Sequence, residues 1–94
     1  MSATLDLTAS YRLAPGVVIR PERFGGLVYR YDNRRLYCLH CPRIVEFINA
    51  LKTHASVQET LDWFSIHHEI SPALIQTWLK AVTHLRGLGI LIRN

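Results

Sequence analysis

The stretch from Ile19 to Cys41 constrains the fold most, because it reads as a β-hairpin. Gly26 to Tyr31 and the shorter run Leu36 to Leu39 are rich in β-branched and aromatic residues. Asp32-Asn33 lies between them, and both residue types tolerate the positive φ of a tight turn. Leu27, Tyr29 and Tyr31 alternate with Val28 and Arg30, the pattern of a strand with two unlike faces. The second strand is short, and a helix signal follows at Cys41-Pro42. Nothing later in the chain is suited to pair with it along its full length. It is therefore a candidate open edge, which is a liability unless something binds there.

Pro15-Gly16 marks a turn, and Val17 to Arg20 reads as a first strand ended by Pro21. A first helix is expected from Pro42, with Cys41 as its cap and Ile44, Val45, Ile48 and Leu51 on its apolar face. A second opens on the capping box Ser56-Val57-Gln58-Glu59 and buries Val57, Leu61 and Phe64, with Trp63 beside them. A third opens on Ser71-Pro72 and carries Leu74, Ile75, Trp78, Leu79, Val82 and Leu85 on one stripe, ended by Gly87 and Gly89. Both tryptophans are expected in the core. Ile90-Leu91-Ile92 either forms a small strand or closes the core. The expected class is α+β: a three-stranded antiparallel sheet followed by three helices, with a winged-helix-like element order.

The 94 residues suffice for one domain spanning 1–94, with 1–9 as a loose tail. A hydrophobic fraction of 49% suits a packed globule rather than a disordered chain. The charge of +4 permits nucleic acid, an anionic membrane or an acidic peptide as partner and selects none of them. Only 2 cysteines argue against a disulfide scaffold. No signal peptide and no membrane-spanning run is visible, so the expectation is a cytoplasmic protein without a membrane partner.

Cys38-Leu39-His40-Cys41 resembles half a zinc site, but no second paired motif completes it, and the βαβ context of a redox C-x-x-C is missing. The bland reading has Cys38 packing and Cys41 half-capping a helix, where the helix dipole would make Cys41 the more reactive thiol. The scattered acids form no catalytic pair, and no phosphate-binding loop is present, so neither an enzyme nor a cofactor is expected. Arg34 and Arg35 cluster with Arg30 at the hairpin tip. Two readings compete for this basic surface: a winged helix in a DNA major groove, or an acidic peptide held beside a strand. The exposed positions of the third helix carry one fixed charge, Lys80, which is poor for a recognition helix and argues against nucleic acid.

Tyr11-Arg12-Leu13, Arg20-Pro21-Glu22, Phe24-Gly25-Gly26-Leu27-x-Tyr29 and Arg34-Arg35-Leu36 together resemble the mycofactocin biosynthesis chaperone (MftB) family. That family is similar to the chaperone of pyrroloquinoline quinone biosynthesis, one of the recognition elements of ribosomally made, modified peptides. The match is densest from Tyr11 to Leu51. It departs at Cys41, where serine or another good cap is expected. The resemblance implies no activity of its own. It implies that the leader of a short precursor peptide adds as a strand to the third strand and lies against the third helix. A radical S-adenosylmethionine maturase would then modify the precursor's C-terminal Val-Tyr, holding the iron–sulfur clusters and S-adenosylmethionine itself. On this reading the peptide-binding residues are Arg34, Arg35, Leu36, Tyr37, Cys38 and Leu39, with one flank of the third helix. That flank is Thr77, Ala81 and His84, or else Gln76, Thr83 and Arg86. The first set is preferred because Ala81 permits close approach.

Overall fold

The computed structural model describes residues 5–94. Five strands and three helices follow in the order β1 (Tyr11–Leu13), β2 (Val17–Glu22), β3 (Gly25–Arg30), β4 (Arg35–Leu39), α1 (Ile44–Leu51), α2 (Val57–His67), α3 (Pro72–Gly87) and β5 (Leu91–Arg93). The expected three-stranded antiparallel sheet is β2-β3-β4, and the three helices follow it. A two-stranded ribbon, β1-β5, is additional: Tyr11 pairs with Arg93 and Leu13 with Leu91.

β2 runs through Pro21 instead of stopping there. Tyr31 N–H donates to Gly16 O at 2.9 Å, which sets the alternation of the β2–β3 ladder. Counting back along the register, Val18–Tyr29 and Arg20–Leu27 exchange hydrogen bonds, whereas Pro21–Gly26 does not. Proline therefore sits where no N–H is needed. In the hairpin turn, the left-handed residue is Arg34 (φ 57°), not Asp32 or Asn33. Asn33 Oδ1 instead accepts the Arg35 N–H at 3.0 Å.

α1 begins at Ile44, two residues later than its proline suggests. Arg43 precedes it with φ 57° and makes no side-chain cap. Cys41 is consequently not a cap but a buried residue of the turn above the sheet. The other two helix starts follow the sequence. Ser56 Oγ accepts from Glu59 N–H at 3.1 Å, and Glu59 Oε2 reaches back to Ala55 N–H at 3.0 Å. Ser71 Oγ accepts from Leu74 N–H at 3.1 Å.

The core lies between the sheet, the ribbon and the helices. Phe47 of α1 stacks on Trp78 of α3 at 4.7 Å and meets Phe64 of α2 edge-on at 5.8 Å. Trp78 is fully buried, but Trp63 is 39% exposed, so only one tryptophan belongs to the core. Trp63 lies one residue off the α2 stripe and stacks on His67 at 4.2 Å instead. Residues 1–4 of the expected loose tail lie outside the described residues. Residues 5–9 are not loose: Leu5 and Ala9 are buried, and Leu7 O and Ala9 O accept the N–H groups of Gln58 and Val57 that open α2.

Candidate functional site

β4 is an outer strand of the sheet, with β3 on one side only. Because Tyr31, Tyr29 and Leu27 direct their backbone groups to β2, the intervening Arg30, Val28 and Gly26 direct theirs to β4. Their partners Arg35, Tyr37 and Leu39 thus form the inner ladder. Leu36 and Cys38 are left with N–H and C=O groups on the open side, and no backbone or side-chain bond engages them among the described residues. The other outer strand, β2, is blunted: of Val17, Ile19 and Pro21, Val17 N–H goes to Ala14 O at 3.2 Å and Pro21 has none to offer.

Side chains alternate with the backbone. Tyr37 is half-buried and Leu39 buried on the helix side, while Leu36 (57% exposed) and Cys38 stand on the outer face. Cys38 therefore does not pack. Burial pushes the Cys41 thiol above its ordinary range, with the Trp78 side chain offsetting only part of the shift. With Cys38 exposed and Cys41 buried, the expectation becomes that Cys38 reacts first. Among the described residues, no three His, Cys, Asp or Glu side chains are grouped to hold a metal.

α3 is tied at two points. Trp78 Nε1–H donates to Pro42 O at 2.8 Å, just past the end of β4. Arg30 Nη1 donates to Leu88 O at 2.8 Å, in the row shared with Arg35 at the start of β4. The helix therefore runs opposite in direction to β4. Ala81 is half-buried against the core, while Thr77 and His84, one turn to either side, are exposed. On the other flank Gln76 is exposed, Thr83 and Arg86 are half-buried, and Arg86 Nε is buried without a partner among the described residues.

Arg34 and Arg35 are exposed at the hairpin tip and join none of the ion pairs among the described residues, which link Arg20 to Glu22, Arg30 to Asp32 and Arg93 to Asp6. Sequence reasoning passed over the outer sheet face. There Val18, Arg20, Leu27, Tyr29, Tyr31 and Leu36 line a hollow of about 190 Å³. Its signal was the alternation Leu27, Tyr29, Tyr31, which marks an apolar face without saying which way it points.

Residues 10–92 match the peptide chaperone MftB family. The chain belongs to that family. It is 38% identical over 91 residues to the peptide chaperone MftB of Mycolicibacterium smegmatis (strain ATCC 700084 / mc(2)155), covering 97% of this chain and 79% of that protein. Membership makes it a peptide chaperone and not an enzyme. Among solved structures, the fold is similar to a lasso peptide synthetase B1 complexed with the leader peptide. The TM-score is 0.64 at 14% identity, over 89% of this chain and 99% of that one.

Proposed function

We propose that this peptide chaperone captures the leader of a short, ribosomally made mycofactocin precursor as an added strand on β4. It then presents the precursor to a radical S-adenosylmethionine maturase in the cytoplasm. The whole chain acts as one recognition domain and contributes no cofactor. The observation that carries the reading is the contrast between the edges: β2 is blunted by Pro21, whereas β4 leaves Leu36 and Cys38 free to bond.

Each of those two residues offers one N–H and one C=O, so an antiparallel leader gains four main-chain bonds. At about 0.5–1.5 kcal/mol net each they supply about 2–6 kcal/mol. Micromolar binding needs about 8 kcal/mol. Side-chain burial must supply the rest. The leader residue opposite Tyr37 points inward, toward α3, where Thr77, Ala81 and His84 form the proposed wall. Arg34 and Arg35 draw an acidic leader toward the tip, and Leu39 anchors the inner end of the strand.

Calorimetric titration with a synthetic leader peptide, a scrambled control and a DNA duplex tests this reading. Saturable one-to-one binding of the leader alone is expected. Tighter binding of the duplex, or equal binding of leader and scrambled peptide, would sink it.

A further inference from the structure

The helix-side face of β4 changes character along its length. Arg35, Tyr37 and Leu39 turn their side chains toward the helices, and they are exposed, half-buried and buried in that order. Arg35 joins none of the ion pairs among the described residues, and the carboxylate nearest it in sequence, Asp32, is held by Arg30 Nε at 2.9 Å. At the other end, the first arginine past Leu39 is Arg43, and it is engaged by His68. The open edge therefore offers a free cation beside the hairpin and apolar surface beside Pro42.

Chirality decides which flank of α3 faces that edge. Seen from the helices with β3 running upward, the helix-side residues of an L-chain point their N–H and C=O groups to the right, so β4 lies right of β3. α3 also runs upward, because Trp78 bonds Pro42 O below and Leu88 O takes Arg30 above. Its buried stripe Trp78, Val82 and Leu85 faces left, toward α1, which lies over Gly26 of β3 and stacks Phe47 on Trp78. On a right-handed helix in that pose, the residue before each member of the stripe lies about 100° around toward the sheet, and the residue after it about 100° away. Thr77, Ala81 and His84 are the residues before; Leu79, Thr83 and Arg86 are the residues after. Thr77, Ala81 and His84 thus wall the groove, with His84 nearest the hairpin end that carries Arg35.

We infer that the groove reads the leader in a fixed order: an apolar side chain at the Leu39 end and, four residues later, a carboxylate held between Arg35 and His84. The inference rests on the strand-addition reading above. An antiparallel leader runs upward, so its residues face Leu39, then Tyr37, then Arg35. These are the non-hydrogen-bonded pairs, whose Cα atoms approach to about 4.5 Å and whose side chains share the inward face. The middle residue packs between Tyr37 and the small side chain of Ala81. A carboxylate placed opposite Leu39 would be buried against apolar surface without a donor. The order is therefore part of the recognition.

The test is calorimetric titration with a synthetic leader of the precursor from the same organism. Each leader carboxylate is changed singly to lysine and each apolar residue to serine, and the set is titrated against wild type and Arg35→Glu. Arg35 is exposed, so this variant should melt like wild type. Arg35→Glu is expected to bind the native leader roughly fivefold more weakly. One lysine-bearing leader, and only one, should bind Arg35→Glu better than the native leader does. The apolar residue four places before that lysine should cost about tenfold or more when replaced by serine. Thr77→Arg should weaken binding, whereas Gln76→Leu on the far flank should not. Absence of any lysine leader that rescues Arg35→Glu would overturn the inference. So would a rescuing position that precedes the apolar anchor, or loss of binding in Gln76→Leu beside wild-type binding in Thr77→Arg. Leader affinity unchanged in Cys38→Pro refutes strand addition itself, whereas affinity lost in Cys38→Pro without any rescue of Arg35→Glu refutes the reading order alone.

Discussion

Two neighbouring proline substitutions separate the inner ladder of β4 from its open edge. Tyr37 pairs with Val28, which is fully buried, and their bonds belong to the ladder. Tyr37→Pro removes an N–H from that pair and leaves a buried carbonyl short of its donor, at a cost of about 1–3 kcal/mol before the lost tyrosine packing. For a domain near this size each kcal/mol shifts Tm by about 4–8 °C, so a drop of roughly 5–20 °C is expected. Cys38→Pro removes an N–H that faces outward and has no partner among the described residues. It should melt within a few degrees of wild type, as proline is tolerated on the open side of an edge strand.

Binding should order the two differently. Loss of one leader bond in Cys38→Pro costs about 0.5–1.5 kcal/mol, a roughly 2–13-fold weaker Kd. The displaced leader carbonyl can double that energy. Cys38→Ser, which keeps the N–H, controls for the thiol and should bind as wild type. The assay is calorimetric titration with leader after a melting check. A folded Cys38→Pro that binds as tightly as Cys38→Ser would refute strand addition at β4. If instead Tyr37→Pro melts like wild type and Cys38→Pro unfolds, the assignment of inner and outer bonds is inverted.

Trp78→Ala should destabilise by about 3–5 kcal/mol, since the ring is fully buried against Phe47 and its N–H is bonded to Pro42 O, whereas Trp63→Ala should cost much less; urea melts compare the two. In the folded protein Cys38 should alkylate well before Cys41, and mass-resolved labelling with iodoacetamide would expose the reverse. Asp6 is held below the usual carboxylate range by the Thr8 side-chain and backbone donors and by Arg93. Its stabilising contribution is therefore present above the ordinary carboxylate pKa and lost as pH falls through its lowered value; amide exchange at Ala9 should quicken across that window in wild type and not in Asp6→Asn.

Features set by local chemistry were legible in the sequence. The hairpin, the Ser56–Glu59 capping box and the Ser71-Pro72 helix start each depend on residues within one turn of each other. Features set at long range were not. The β1–β5 ribbon joins Tyr11 to Arg93, and three-residue strands carry too little pattern to announce a partner so far away. The late start of α1 is also a tertiary effect. A Cβ on Gly25 would come within 2.0 Å of Leu39 O and 2.7 Å of Cys41 N, so the chain leaving β4 crosses hard against β3. It turns at Arg43 before helix can form.

For the candidate site, the open edge was legible but its working residues were not, because which groups face outward depends on a single alternation fixed by the Tyr31–Gly16 bond. The faces of the sheet show the same dependence more sharply. Along β3 the larger apolar set is Leu27, Tyr29 and Tyr31, which on hydrophobicity alone belongs in the core. Yet Gly26, Val28 and Arg30 face the helices. The reason lies in what covers them. A Cβ on Gly26 would meet Val45 Cγ2 at 2.6 Å, so α1 packs directly on the strand and leaves no room there for a tyrosine. Arg30 faces inward because its guanidinium satisfies Leu88 O at the end of α3. Close helix packing thus forces the bulky residues outward, and the apolar outer face follows from the way the proposed peptide edge is held in place.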